Sequence, residues 1–253
     1  MTHLLWTALE HHLYAVTRQP FTIRQRQSLG GGCINQAWRI SDGQQTFFVK
    51  VNAAARLPVF EAEAAGLAEL AATGTVRVPV PLGHGVTDEY AWLMLEYLPL
   101  VNSGTQAMEK LGRSLAALHA LPQKGFGWHR DNAIGATLQR NAYCNDWIQF
   151  WREQRLGFQL NLAARNGYTG ALQQQGEQLL TRLDGLFVGH SPTPALLHGD
   201  LWSGNAGCTV EGQPVVFDPA VYQGDREADL AMTELFGGFA ESFYAAYREA
   251  LPL

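Results

Sequence analysis

The sequence predicts a bilobal α+β enzyme, with a small antiparallel β-sheet lobe over residues 1–100 and a mainly helical lobe over residues 101–253. Three observations predict it. Residues 21–52 alternate in the manner of strands and are broken by a glycine cluster and an Asp-Gly turn. From about Ser103 the apolar spacing becomes helical. The helical half also carries short strand-like pieces, PALLHGD, NAGCTV and PVVFDPA, and these bear its polar motifs, as expected where a cleft forms between two packed layers.

Taken in order, LLWTALEHHLYAV places Leu5, Leu9 and Leu13 four residues apart, on one face of a helix. FTIRQRQSL, CINQAWRI and QTFFVKVN read as a three-stranded antiparallel meander, with Asp42-Gly43 as its second turn. LPVFEAEAAGLAELAAT has helical spacing, Pro79 and Pro81 mark a loop, and AWLMLEYL reads as a buried strand. Two strands after that helix complete a five-stranded lobe. The helical half then offers EKLGRSLAALHAL, the long NDWIQFWREQRLGFQLNLAARNG, ALQQQGEQLLTRLDGLF, DREADLAMTELF and ESFYAAYREAL.

Composition bounds the function. With 253 residues, 47% hydrophobic and 16% charged, the chain is long enough for two packed lobes and is not of the disordered type. A net charge of −5 gives no basic footprint for nucleic acid. No apolar run approaches the roughly 20 residues of a membrane span. Three cysteines, Cys33, Cys144 and Cys208, are widely spaced and form no CxxC pair, which argues against a disulfide framework and a zinc site. The expectation is a cytoplasmic protein without nucleic-acid or membrane partners; the sequence leaves its oligomeric state open.

The chemistry concentrates in LLHGDLWSGN and VVFDPA. Asp200 and Asn205 stand five positions apart, and Asp218 follows thirteen residues after Asn205, the spacing of a kinase catalytic loop and its metal site. Phosphoryl transfer needs a carboxylate to orient or deprotonate the acceptor hydroxyl and oxygen ligands for magnesium. Asp200 is the candidate base; Asn205 and Asp218 are the candidate magnesium ligands.

Gly30, Gly31 and Gly32, between two strands, suit a loop whose N–H groups approach ATP phosphates, although glycine clusters also mark ordinary turns. Lys50, flanked by Val49 and Val51, needs an anionic partner, because a buried unpaired ammonium is costly. Glu61 or Glu63 on the next helix can supply it, and Glu63 fits better, preceding the stripe of Leu67 and Leu70. Glu96 and Tyr97, ending an apolar strand where the lobes join, offer backbone groups to adenine; a plain strand end explains the same letters.

These residues resemble the fructosamine (ketosamine) 3-kinase family, a branch of the protein-kinase-like fold shared with aminoglycoside and choline kinases. The resemblance rests on GGGCIN, FFVKVN, FEAEAAGL, NDWIQFWREQRL, HGDLWSGN and FDPAVYQGDREADLAM, and it covers nearly the whole chain. It implies ATP- and magnesium-dependent phosphorylation of the 3-hydroxyl of ketosamines, on small amines or glycated proteins, with later release of the amine. A related kinase of aminoglycosides or choline, or an inactive nucleotide-binding relative, shares the same motif residues. The resemblance adds Trp202, Asp146 and Trp147 as substrate candidates, although Trp147 also fits a buried helix face with Phe150 and Trp151. Cys33, immediately after the glycines, becomes a redox candidate, with a packed thiol as the alternative. Asp229 is expected to order the catalytic loop, and His119 to be a packed histidine. The family's pattern runs some tens of residues past a segment like FYAAYREALPL, so Phe243, Tyr244, Tyr247 and Leu251 are expected to form an exposed apolar patch.

Overall fold

The computed structural model describes residues 2–30, 34–87 and 89–253. Helix α1 (His3–Thr17) buries Leu5, Leu9 and Leu13 completely. The five strands that follow are β1 (Gln25–Leu29), β2 (Gln36–Ser41), β3 (Thr46–Ala53), β4 (Pro81–Thr87) and β5 (Tyr90–Glu96). They form one antiparallel sheet in the order β1-β2-β3-β5-β4. Alternation along the strands divides the core in two. Val49, Val51, Trp92 and Met94 pack with the α1 leucines on one face. Leu93 and Leu95 belong to the core on the other, which also contains Phe60, Leu67 and Leu70 of helix α2 (Leu57–Ala72). Lys50 lies between Val49 and Val51 and pairs with Leu93 across the ladder, so the period of two turns it away from α1 and towards α2. Glu63 lies on the buried stripe of α2, which fixes where a partner for Lys50 can come from.

After Glu96 the chain leaves this sheet. Strand β6 (Leu100–Val101) pairs instead with a strand more than a hundred residues later. The rest comprises α3 (Thr105–His119), a hairpin of β7 (Asn132–Ile134) and β8 (Thr137–Gln139), α4 (Trp147–Phe150), α5 (Gly157–Arg165) and α6 (Ala171–Leu186). Then come β9 (Pro194–Leu197), β10 (Ala206–Thr209), β11 (Pro214–Val216), β12 (Tyr222–Asp225), α7 (Glu227–Leu235) and α8 (Glu241–Ala250). The order β11-β10-β6 makes one small sheet, and β12 pairs with β9 in another. These two pairings bring the HGD and FDP segments together.

Two sequence expectations are corrected. The long helix over residues 145–167 is interrupted: Trp151–Leu156 forms a π-helical turn between α4 and α5, closed by the Gly157 N–H donating to the Arg152 carbonyl. The apolar patch expected at the end of the chain does not form. Phe243 and Tyr247 are fully buried, and Tyr244 and Leu251 are half-buried. Their cover is α3, whose Leu111, Leu115 and Leu118 share one core with them. At Gly112 the two helices come so close that a Cβ would sit 2.3 Å from the Phe243 carbonyl oxygen. None of the described helices is long and apolar enough to cross a membrane.

Candidate active site

The sheet presents Lys50 to two carboxylates from separate elements. Its Nζ donates to Glu63 Oε1 on α2 at 2.6 Å and to Asp218 Oδ1, just beyond β11, also at 2.6 Å. Lys50 is only 5% exposed. Burial alone would pull its pKa down, but the two adjacent carboxylates reverse that and hold the ammonium above its ordinary value. Glu63 is pushed up, first by burial and also by the charge of Asp218, against the pull of Lys50. One cation therefore serves two carboxylates. Asp218 takes a left-handed backbone, φ 57°, which is uncommon outside glycine, and its carboxylate is half-exposed.

The HGD segment follows β9, and backbone contacts hold it in place. The Gly199 φ of 81° and a would-be Cβ only 2.0 Å from the Ala220 carbonyl oxygen leave room for no side chain. His198 Nε2 lies 3.1 Å from the Phe217 carbonyl, and the Asp200 N–H donates to His198 Nδ1 at 3.3 Å. A carbonyl needs a donor and an N–H needs an acceptor, so the ring is the neutral tautomer with its proton on Nε2. Burial, which lowers the His198 pKa, favours the same state. His198 thus ties the loop bearing Asp200 to the segment bearing Asp218. Behind the loop, buried Asp229 of α7 accepts from the N–H groups of His198 at 2.7 Å and Gly199 at 2.8 Å. Its carboxylate also meets His119 Nε2 at 3.2 Å, and His119 Nδ1 meets the Tyr247 hydroxyl at 2.8 Å.

Asn205 Nδ2 donates both to the Asp200 carbonyl, at 2.8 Å, and to Asp200 Oδ2, at 3.0 Å. The amide nitrogen is committed to Asp200, which leaves the amide oxygen for a cation. Burial pushes the Asp200 carboxyl up to about 6; the Asn205 hydrogen bond opposes this, while Asp218 and Asp229 add to it. Asp218 and Asn205 together offer hard oxygen donors of the kind magnesium takes, beside a lysine suited to phosphates, so the residue set fits a magnesium–nucleotide pair.

The other candidates divide. Gly30 directly follows β1; Gly31, Gly32 and Cys33 lie outside the described residues. Glu96 ends β5 and is engaged: its carboxylate accepts from Arg77 at 2.5 Å and from the Val80 N–H at 3.1 Å. Tyr97 begins the joint to β6 and lies beneath the Arg39 guanidinium, 5.3 Å from ring centre to carbon. Trp202 is half-buried, two residues after Asp200. Trp147 is buried between Phe126 and Phe150, so it faces core rather than substrate; its four-residue spacing to Trp151 is that of a packed helix face. Asp146 caps that helix, its Oδ1 accepting from the Gln149 N–H at 2.6 Å. His198 links the two motifs through the Phe217 carbonyl, a link that the spacing of Asp200 and Asn205 does not isolate. The signal for His198 was its place directly before Gly199-Asp200.

A five-stranded sheet bearing the lysine, a helix bearing its glutamate and a helical half bearing the two acidic motifs make up a protein-kinase-like fold. The chain belongs to the fructosamine kinase family, whose sequence profile matches residues 5–253. It is 45% identical over 248 residues to a protein of Synechocystis sp. named a probable ketoamine kinase, covering 98% of this chain and 83% of that one. It is 42% identical over 229 residues to the chloroplastic protein-ribulosamine 3-kinase of Arabidopsis thaliana, covering 89% of this chain and 69% of the relative. A crystal structure from Haemophilus somnus 129PT, provisionally described as a fructosamine-3-kinase, superposes with a TM-score of 0.91 at 31% identity, covering 98% of this chain and 83% of that one.

Proposed function

We propose that this protein is an ATP-dependent kinase that phosphorylates the 3-hydroxyl of ketosamines, sugar adducts of amines or of protein lysines. The observation that carries the reading is Lys50, buried between Glu63 and Asp218, together with Asp200 braced by Asn205. Family membership and the named acceptor of the plant relative support a ketosamine as substrate.

In this reading Glu63 holds the Lys50 ammonium where it meets the phosphate oxygens of the nucleotide, and the glycine segment beginning at Gly30 covers those phosphates. The backbone around Glu96 and Tyr97 borders the adenine. Asp218 and the Asn205 amide oxygen would hold a magnesium ion, which when bound would neutralise charge on the transferring phosphoryl group. Asp200 orients the acceptor hydroxyl and takes its proton. The Asn205 Nδ2 bond to Asp200 Oδ2 fixes that carboxylate and leaves Oδ1 for the acceptor. Trp202 borders the acceptor on the same loop. Phosphorylated ketosamines release their amine, so the activity amounts to deglycation.

The test is magnesium-dependent ATP consumption by the purified chain against a ribulosamine, a fructosamine, an aminoglycoside and choline. Consumption with a ketosamine well above the other acceptors is expected. No ketosamine turnover, or a preference for the aminoglycoside or choline, would overturn the assignment.

A further inference from the structure

Phe236 is 61% exposed, an unusual place for a phenylalanine, and the loop that carries it is firmly anchored. Helix α7 stops at Leu235, and Gly237 and Gly238 turn the chain with φ of 106° and 78°. On the far side the Phe239 ring packs edge-on against buried Phe243, at 4.9 Å between centres. The Phe239 N–H donates to the Tyr244 hydroxyl at 3.1 Å, and that hydroxyl meets buried Thr233 Oγ1 at 3.0 Å. Both ends of the loop are therefore tied to the helical core, and the ring between them is held outward.

Its neighbour is Trp202. Leu201 is fully buried, whereas Trp202, the next residue, is partly exposed. The indole folds back across Gly204, where a Cβ would fall 2.2 Å from the ring. Its edge meets Phe236 at 5.4 Å between centres and 65° between planes. Two aromatic rings, one on the loop that carries Asp200 and one on the loop after α7, thus meet edge-on.

We infer that Phe236 is a specificity-determining residue, which with Trp202 forms an aromatic notch for the protonated amine of the acceptor. The inference rests on the ketosamine reading above. A ketosamine carries a secondary alkylammonium on the carbon next to its carbonyl, so the cation lies only three carbons from the 3-hydroxyl. An acceptor whose hydroxyl meets Asp200 brings that cation close to the same loop. Aromatic faces attract alkylammonium groups through the ring quadrupole and cover the adjoining methylenes without needing a second carboxylate.

The experiment compares the parent with Phe236→Ala, Phe236→Leu and Phe236→Tyr on two acceptors. One is the ribulosamine of a simple alkylamine; the other is its neutral analogue with an ether oxygen in place of the nitrogen. Phe236→Ala is expected to raise the KM for the ammonium acceptor roughly threefold to thirtyfold, the range of a cation–aromatic contact. The KM for the ether analogue, the KM for ATP and the melting temperature should change little. Phe236→Tyr should retain the parent KM, and Phe236→Leu, which keeps bulk but loses the ring, should follow alanine. Equal effects on both acceptors would make Phe236 a packing support for Trp202, and no effect on either would remove it from the acceptor site; each result overturns the inference while leaving ketosamine kinase activity intact. If the parent itself turns over no ketosamine, the acceptor assignment fails and this inference fails with it.

Discussion

Glu63 and Asp229 are both buried carboxylates facing a basic side chain, yet their proton affinities move in opposite directions. Burial alone pushes Asp229 up, but His119 and the N–H groups of the catalytic loop outweigh it and lower its pKa. Glu63 also starts from burial, but it shares its one ammonium with Asp218, whose charge pushes it further up. The difference teaches what each cluster is for. At Asp229 both carboxylate oxygens meet donors fixed by the fold, three in all, and the group is a finished brace. Around Lys50 two carboxylates share one cation, so the cluster keeps a net negative charge that a bound cation would offset.

Asp229→Asn should break the brace most severely. The amide would turn an NH2 group towards a backbone N–H, leaving donors facing each other in a dry site. Removing one member of a buried charged network costs about 3–5 kcal/mol. Because the Asp229 pKa is depressed in the folded state, its stabilisation is present above the ordinary aspartate range and is lost as pH falls through the depressed value. The stability gap between parent and variant, read by urea unfolding, should therefore narrow in acid. A variant as stable as the parent at neutral pH would show that Asp229 braces nothing.

Asp200→Asn should act on chemistry instead. Turnover is expected to fall at least roughly a hundredfold, or about 2.7 kcal/mol, with nucleotide binding nearly intact. Stability should not drop, because burial already disfavours the ionised carboxylate. Near-normal turnover would remove Asp200 from its role as base. Glu63→Gln falls between the two. Lys50 keeps Asp218, so the loss of stability should be smaller than for Asp229→Asn, while the KM for ATP rises about tenfold as the ammonium loses its anchor. A Glu63 variant that unfolds as readily as the Asp229 variant would erase the distinction between brace and site.

How much of this was legible depended on how far each contact reaches along the chain. Within HGDLWSGN, Asp200 and Asn205 stand five positions apart, so spacing exposed that pair. Lys50 was legible because it stands between two valines in an apolar strand, and Glu63 because it precedes the leucine stripe of a helix; a charge in such a setting needs a partner. The short strands β6, β7, β8 and β12 were not; two to four residues carry too little alternation, and the partners of β6 and β12 lie far away in sequence. Trp147 and Phe236 show the same limit in side chains. Letters alone do not say that one aromatic is packed between Phe126 and Phe150 while another is held out in solvent by a Gly-Gly turn.

The smallest effect belongs to a third carboxylate, Asp225, which is as buried as Glu63 but whose partner is a histidine near the surface. His190 Nε2 lies 2.7 Å from Asp225 Oδ2, while Asp225 Oδ1 accepts from the Glu227 N–H at 3.0 Å where α7 begins. The pair thus fastens the loop after α6 to the start of α7. The hydrogen bond to Asp225 raises the His190 pKa; burial and Arg226 oppose it, Glu227 adds to it, and the Phe187 ring stacked alongside carries no charge. A histidine raised in the folded state contributes stability that is fully present below its ordinary value of 6.5 and is lost as pH rises through the raised value. His190→Ala should therefore melt slightly below the parent at pH 6 and level with it at about pH 8.5, with the gap shrinking in salt because the imidazole is largely solvated. Melting curves of both proteins at the two pH values and at low and high salt decide it. A gap that widens with rising pH would reverse the sign and mean that the neutral ring, not the ion pair, holds the loop to α7.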